Sequence, residues 1–504
     1  MSRFVLALPC TVFVVLFAVS PSAFAQENIL PTAVGKSTLA GRQLADELRR
    51  TLEPLAATRP KAATVEPFAH LVRKASWTEE WPGPDGTVAK RSVTGKLWND
   101  AIAAALRANN SVYLPRRETP YYLDGPIVLQ SGQTLVADPQ AEFRLKPGAN
   151  TCMVRNAHLV SGGAGPVPAD LKPDEQITVE GGIWTTLRTR TGAGSIYNGN
   201  HSGAIDARNS VPGTHGVLCF SNVRRLVVRK LTVRQGTPHA VQLSNASEFL
   251  VEEITLEDHG RDGIHMNGPI HDGLVRGIHG VTHDDFIALN AWDWKNTTVT
   301  FGPIERVLVE RIDGEDRGAA SIRLLPGTKR FADGTVLDCP VRDCVFRDIR
   351  GINDIKAYDQ PNLELGRDKD FCDPIGTLGN IYFEKLVIRH PRQPATIQIH
   401  ANADGIHVAD VVLAFPLKTD DKVLSIGPLS MTFTHGSADP ARWVEVFSPD
   451  KDCTVRNLSL ENVRTEAGAT LAPESQIRVI QLHVNPEYPR TKPRGGTGRG
   501  VWIR

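Results

Sequence analysis

The chain has 504 residues, with 57 Lys plus Arg against 56 Asp plus Glu and a formal net charge of +1. That balance gives no argument for nucleic-acid binding by charge, which depends on an excess of Lys and Arg to neutralise phosphates. Aromatics are 6% of the residues while glycine occurs 43 times, a mix suited to many short strands and tight turns rather than a helical bundle.

The chain opens with Arg3, an apolar run from Phe4 to Val19, and Ser22-Ala23-Phe24-Ala25 before Gln26. A charged start, an apolar middle and a small-residue end are the order of a cleavable export signal. The run is short for a membrane anchor. Cleavage is expected after Ala25, which makes residues 1–25 a signal peptide and the product secreted or periplasmic, with no membrane association afterwards. No other stretch is apolar and long enough to span a bilayer. Beyond the signal lie Cys152, Cys219, Cys339, Cys344, Cys372 and Cys453. An exported chain can oxidise these, and Cys339 with Cys344 could close a small loop; buried thiols are the alternative. No C-x-x-C pair occurs, so a structural zinc site is not expected.

Leu44, Leu48, Leu52 and Leu55 recur at helical spacing, punctuated by Pro54 and Pro60. From there to about Val93 no pattern is clear, and Trp81-Pro82-Gly83-Pro84-Asp85-Gly86 reads as a loop. Residues 26–96 are thus a helical and irregular N-terminal segment. A second helix is expected from Leu97 to about Leu106, with Leu97, Trp98, Ala101, Ile102, Ala105 and Leu106 on its apolar face and Asn109-Asn110 ending it.

The period then changes. Ser111-Val112-Tyr113-Leu114, Tyr122-Leu123, Ile127-Val128-Leu129 and Thr134-Leu135-Val136 are short β-type runs. A recurring unit follows, seen at Val223–Val233, Glu248–Leu256, Gly273–Ile278, Ile304–Ile312, Val341–Ile349, Leu378–Ile388 and Cys453–Val463. Leu250 and Leu274 are 24 residues apart. Repeats near that length indicate a solenoid, whose rungs bury their apolar faces only by stacking. The L-x-x-L-x-L spacing of leucine-rich repeats is absent, so an all-β coil of strands is expected over 97–465. Longer intervals such as Leu308 to Val345 become loops on one face. Residues 466–504 form a partly flexible extension ending in a Gly-rich basic tail with Arg490, Lys492, Arg494 and Arg499.

Candidate chemistry centres on Arg261-Asp262-Gly263-Ile264-His265 and Thr282-His283-Asp284-Asp285-Phe286-Ile287-Ala288-Leu289-Asn290. Asp262 and Asp284 are 22 residues apart, so rungs near that length put Asp262 and the Asp284-Asp285 pair at one angular position. Three crowded carboxylates cannot all stay ionised cheaply, and one pKa should rise. A proton on one and a charge on another are the requirements of general acid–base glycoside hydrolysis. The competing reading is structural: Asp-Gly is an ordinary turn, and Asp404-Gly405-Ile406-His407 repeats the tetrapeptide with no acidic pair after it.

The opening helix with Val112-Tyr113-Leu114-Pro115, Gly181-Gly182-Ile183-Trp184 and the aspartates resemble the pectin-lyase-like β-helix superfamily, from about Leu97 to Val463. Within it the chain looks most like glycoside hydrolase family 28, the polygalacturonase group. Asp262 with Gly263 matches that family's N-T-D-G, and Asp284 with Asp285 its G-D-D. The resemblance implies a single right-handed parallel β-helix acting on a poly- or oligosaccharide. Asp284 would be the general acid, and Asp262 with Asp285 would hold the water of an inverting hydrolysis that needs no cofactor and no metal. The chain departs from the family twice. Arg317-Gly318-Ala319-Ala320 stands where G-H-G is expected. Of R-I-K, Lys356 is present but Asp354 replaces the arginine, which argues against plain polygalacturonate.

His239, His265, His283, Asn290, Trp292, Arg323 and Lys356 are the candidate substrate-binding residues. His265 shares a face with Asp262 only if a bulge intervenes, because side chains alternate along a strand. Trp292 and Trp294 could stack on sugar rings, with a core role for one of them as the equal alternative. Two other functions use the same residues. One is a polysaccharide lyase, with the aspartates holding Ca²⁺ and Lys356 or Arg323 as base. The other is a non-catalytic carbohydrate-binding β-helix.

Overall fold

The computed structural model describes residues 30–57, 61–82, 87–149, 151–159, 170–186, 216–236, 239–293, 300–314, 321–330, 332–358, 376–389, 397–414, 424–426, 430–432, 445–448, 453–465, 477–484 and 501–503. The expected signal, Trp294, the stretch 315–320 that replaces G-H-G, Cys372 and the basic residues of the tail lie outside these.

Among the described residues, 27 strands hydrogen-bond into one continuous sheet, and nearly all neighbours along it are parallel. The chain coils as a parallel β-helix. Leu250 pairs with Leu274, the two residues whose 24-residue spacing signals the repeat, and Leu274 pairs with Leu308. Leu308 in turn pairs with Val345. That longer interval is one rung plus an insertion, part of which is the antiparallel hairpin Gly327–Arg330 with Val336–Cys339.

Five strands carry the candidate site: β1 (His239–His259), β2 (Ile264–Thr282), β3 (Ile287–Asn290), β4 (Ser321–Leu325) and β5 (Asp354–Tyr358). Ile264, Ile287, Ile322, Ile355 and Ile397 stack one above another on successive rungs, each fully buried. β-Branched side chains suit this position because their stiff χ1 fits a pleated surface. Aromatic stacks continue the core: Phe143 lies 4.0 Å from Trp184, and Phe346 lies 5.0 Å from Phe383.

Helix α1 (Leu30–Leu52) lies along the outside of the coil. Its Ala45, Leu48 and Leu52 cover an apolar stripe of Val227, Leu250, Leu274, Leu308, Val345 and Tyr382, each from a different rung. Beside the stripe runs a ladder of alternating charge: Glu180, Arg229, Glu252, Arg276, Glu310, Arg347 and Glu384 follow one another in register. Arg49 of α1 donates to Glu310 at 3.0 Å, and the Arg229 guanidinium donates to the Ala56 carbonyl at 2.9 Å. Helix and coil are therefore matched in both apolar contact and charge.

Several expectations need correction. The second helix, α2, spans Asn99–Ala108. Leu97 ends a strand instead, because the patternless segment holds an antiparallel hairpin of Arg73–Pro82 with Val88–Leu97. Lys, Arg, Glu and Ser fill nine of the 20 positions of that hairpin and hide its alternation. Past residue 465 two further strands are described: Ile477–Val484, antiparallel to Cys453–Thr465, and Val501–Ile503, antiparallel to Glu445–Ser448. Cys339 and Cys344 form no loop-closing bridge: both are free and buried, as are Cys152 and Cys219. No helix among the described residues is long and apolar enough to cross a membrane.

Candidate active site

The parallel register brings the site together. Ile264 pairs with Ile287, an offset of 23 residues. Carried back along the chain, that offset aligns Asp262 with Asp285 and Arg261 with Asp284, and the Gly263 amide donates to the Asp285 carbonyl at 2.9 Å. A Cβ on Gly263 would meet the Phe286 carbonyl oxygen at 2.5 Å, so glycine is what lets these turns approach. The Thr282 hydroxyl donates to the Asp284 carbonyl at 2.8 Å and shapes the turn presenting the acidic pair. One oxygen from each of Asp262, Asp284 and Asp285 lies within 4.8 Å of the others.

The outward-facing column explains which cation serves the trio. Gln242, His265, Ala288, Arg323 and Lys356 occupy one register position on β1 to β5. The small Ala288 leaves the rung between His265 and Arg323 uncrowded, and the Arg323 guanidinium reaches back across it. One terminal nitrogen is 3.2 Å from Asp262 and the other 2.9 Å from Asp285. Asp284 is paired separately with Arg261 at 3.3 Å and is the exposed member, with a quarter of its side chain in solvent.

These surroundings drive the acids apart. Burial, with the charges of Asp284 and Asp262 added, raises the Asp285 carboxyl to about 7 against the opposing pull of Arg323. Asp262 is equally buried, and burial pushes its pKa upward. The facing His239, Arg323 and His265 outweigh that and hold it well below the usual carboxylate range. Its Oδ1 finds no hydrogen-bond donor among the described residues.

The histidines lie deeper. His265 Nδ1 is 2.7 Å from Asp262, and Nε2 is 3.0 Å from Asp293. Asp262 belongs to the turn before β2, so strand alternation does not separate it from His265. The His239 ring stacks on that of His265 with centroids 3.9 Å apart. His283 sits apart from them, a third of its side chain in solvent and 2.7 Å from Asp258. Asn290 is buried and donates to Asp293 at 2.9 Å. Lys356 lies 3.8 Å from the fully buried Asp354. Trp292 is 3% exposed and packs on Phe301 with ring centroids 4.0 Å apart. Of the two roles expected there, sugar stacking and core, Trp292 takes the core one.

Asp293, Arg261 and Asn267 are partners that the sequence reading did not select. The 23-residue offset was the signal that could have found two of them, since it aligns Arg261 with Asp284 and Asn267 with Asn290. It also separates the look-alike tetrapeptide, whose Asp404 pairs with Gly379 on another face and accepts from Asn457 at 2.6 Å.

A divalent cation could bridge carboxylates at the trio's spacing, but guanidinium groups already occupy Asp262, Asp284 and Asp285. Each carboxylate of the trio thus has an internal cation beside it.

No family model matches the chain, and no curated protein matches it. Solved structures similar to it include a surface adhesin of Streptococcus pneumoniae, 12% identical, covering 84% of this chain and 100% of that one with a TM-score of 0.41. A family 28 exopolygalacturonase of Yersinia enterocolitica is 13% identical, with 79% and 84% coverage and a TM-score of 0.41. An endo-xylogalacturonan hydrolase of Aspergillus tubingensis is 14% identical, with 73% and 90% coverage and a TM-score of 0.30. An adhesin and two hydrolases stand side by side in that comparison, so the chemistry has to be read from this chain's own residues.

Proposed function

We propose that the protein is an exported glycoside hydrolase that cleaves a glycosidic bond of a poly- or oligosaccharide by carboxylate acid–base chemistry. The observation that carries this reading is the opposite tuning of two stacked carboxyls: Asp285 is raised to about 7 and Asp262 is held low. A protonated carboxyl beside an ionised one is what protonation of a leaving oxygen and activation of water require. The resting proton belongs on Asp285, the more buried of the adjacent pair. Asp284 is the exposed member of the pair, so the proton passes from Asp285 through Asp284 to the leaving oxygen and leaves both carboxylates ionised. Asp262, ionised and with Oδ1 uncommitted, takes a proton from the attacking water. The proton gained there is then within 4.8 Å of the oxygens that must be recharged.

The lyase reading needs a free base and a bound cation. Arg323 is committed to Asp262 and Asp285, Lys356 sits beside Asp354, and the trio is already neutralised, so hydrolysis is favoured. The test is product analysis on a panel of plant, algal and host glycans. New reducing ends without absorbance from an unsaturated sugar support hydrolysis. An unsaturated product overturns it in favour of a lyase. No turnover on any glycan, with binding retained, leaves the carbohydrate-binding reading.

A further inference from the structure

Asp262 is fully buried, so whatever keeps it charged must come from the protein. Its Oδ2 is approached from three directions: His265 Nδ1 at 2.7 Å, Arg323 at 3.2 Å and His239 Nδ1 at 3.6 Å. His265 is itself held from behind. Its Nε2 meets Asp293 at 3.0 Å, and Asp293 accepts from Asn290 at 2.9 Å and from Asn267 at 3.4 Å. Both ring nitrogens thus face carboxylate oxygens, which a doubly protonated imidazole satisfies by donating from each; the Asn267 amide nitrogen, 3.2 Å from Nε2, is the one neighbour that an unprotonated Nε2 would suit. The protonated form is favoured for the same reason: burial works against it, yet the bonds to Asp262 and Asp293 carry its pKa up to about 9.

A metal held by His239, Asp262 and His265 would be another use of these groups, whose ligating atoms lie within 4.8 Å of one another. The ring geometry argues against it. The two imidazoles are stacked with an interplanar angle of 19°. An ion binds in the plane of each ring, and nearly parallel planes 3.9 Å apart share no such point.

We propose that His265 is a positioning residue for Asp262: clamped between Asp262 and Asp293, its imidazole fixes the orientation and the negative charge of the carboxylate that activates water. This rests on the hydrolase reading and extends it to a carboxylate–histidine–carboxylate relay running from Asp293 inward to the reacting centre. The other groups facing the clamp are His239 and Gln242 of β1, Asp284 and Asp285 before β3, Arg323 of β4 and Lys356 of β5. Arg323 and His239 also favour a charged Asp262, so removing His265 weakens that preference without abolishing it.

The test uses the whole protein with His265→Gln and the isosteric Asp293→Asn. In ¹⁵N NMR the wild-type His265 ring shows both nitrogens protonated at neutral pH, and in Asp293→Asn the ring titrates at lower pH. The acid limb of the kcat profile moves up by about one to three pH units in His265→Gln, the usual effect of losing an opposite charge beside a carboxylate. It moves in the same direction in Asp293→Asn, with KM nearly unchanged. A merely structural role lowers activity at every pH and leaves the limb where it was. A neutral His265 at pH 7, or an unmoved acid limb in both variants, overturns the proposal. If Asp262→Asn and Asp284→Asn abolish turnover while the limb stays fixed, the clamp fails and the hydrolase reading stands. If the wild type cleaves no glycan, the hydrolase reading fails, and with it the catalytic purpose of the clamp, while the NMR titration still decides whether the clamp exists.

Discussion

Asp262 and Asp285 are stacked on successive rungs, 23 residues apart, and a single guanidinium, that of Arg323, touches both at 3.2 and 2.9 Å. Equally buried, they are driven in opposite directions by their other neighbours: histidines face Asp262, and the acidic Asp284 adjoins Asp285. The candidate chemistry follows from that asymmetry.

Replacing Asp262, Asp284 or Asp285 by Asn should lower kcat by about 10²–10⁴-fold, the usual contribution of a positioned acid or base, with the β-sheet circular dichroism retained. Asparagine keeps the shape but carries neither the proton nor the charge. Full activity in all three variants would remove the proposed mechanism.

The pH dependence has a defined sign. An acid that must hold its proton loses activity as pH rises through its pKa, so the alkaline limb of kcat should lie near 7. The same shift affects stability. A carboxyl raised in the folded state binds more protons there than in the unfolded chain, so its stabilising contribution is complete below the unfolded value and is lost as pH rises toward 7. Asp285→Asn lacks that loss. Its Tm relative to wild type should therefore increase between pH 4 and pH 8, and a constant difference across that range would contradict the raised pKa.

Arg323→Gln removes the cation shared by two buried carboxylates. Breaking a buried ion pair from one side costs about 3–5 kcal/mol, and denaturant unfolding at pH 8 should register a loss of that order. The loss should be smaller at pH 5, where Asp285 is protonated. Arg323 opposes the rise of Asp285, so its removal should also move the alkaline limb to higher pH.

Activity should survive EDTA, because arginines rather than a free ion neutralise the trio, and polygalacturonate should be turned over far more slowly than the best glycan of the panel. Arg323 is committed to the acids, and Asp354 lies 3.8 Å from Lys356, so neither cation is free to pair with a uronate. Inversion of the anomeric centre is expected, as the family resemblance implies, and product NMR reads it directly. Retention would mean direct attack by one of the carboxylates, which their close spacing permits.

Leu48→Ala tests the seat of α1. Leu48 is fully buried against side chains from several rungs, and such truncations cost about 2–5 kcal/mol. A loss of that size with kcat unchanged would separate the stability of the coil from its chemistry.

Much of the architecture was legible in the amino-acid order. A solenoid repeats its contacts every rung, so Leu250 and Leu274 announce their pairing by spacing alone, and the short runs from Ser111 to Ala137 are the observed strands. The acidic trio could be seen for the same reason. The hairpin at 73–97 could not, because its charged strands lack apolar alternation. Nor could the exact rung length: a 22-residue guess aligns Asp262 with Asp284, whereas the 23-residue register aligns it with Asp285 and hands Asp284 to Arg261. One residue of offset moves a side chain to a different neighbour, and only the hydrogen-bonded ladder sets that offset. Burial of Trp292, the stacking of His239 on His265 and the reach of Arg323 over Ala288 likewise join residues whose proximity exists only once the rungs are stacked. The repeat determined that carboxylates would meet; the tertiary register decided which of them keeps a proton and which keeps its charge.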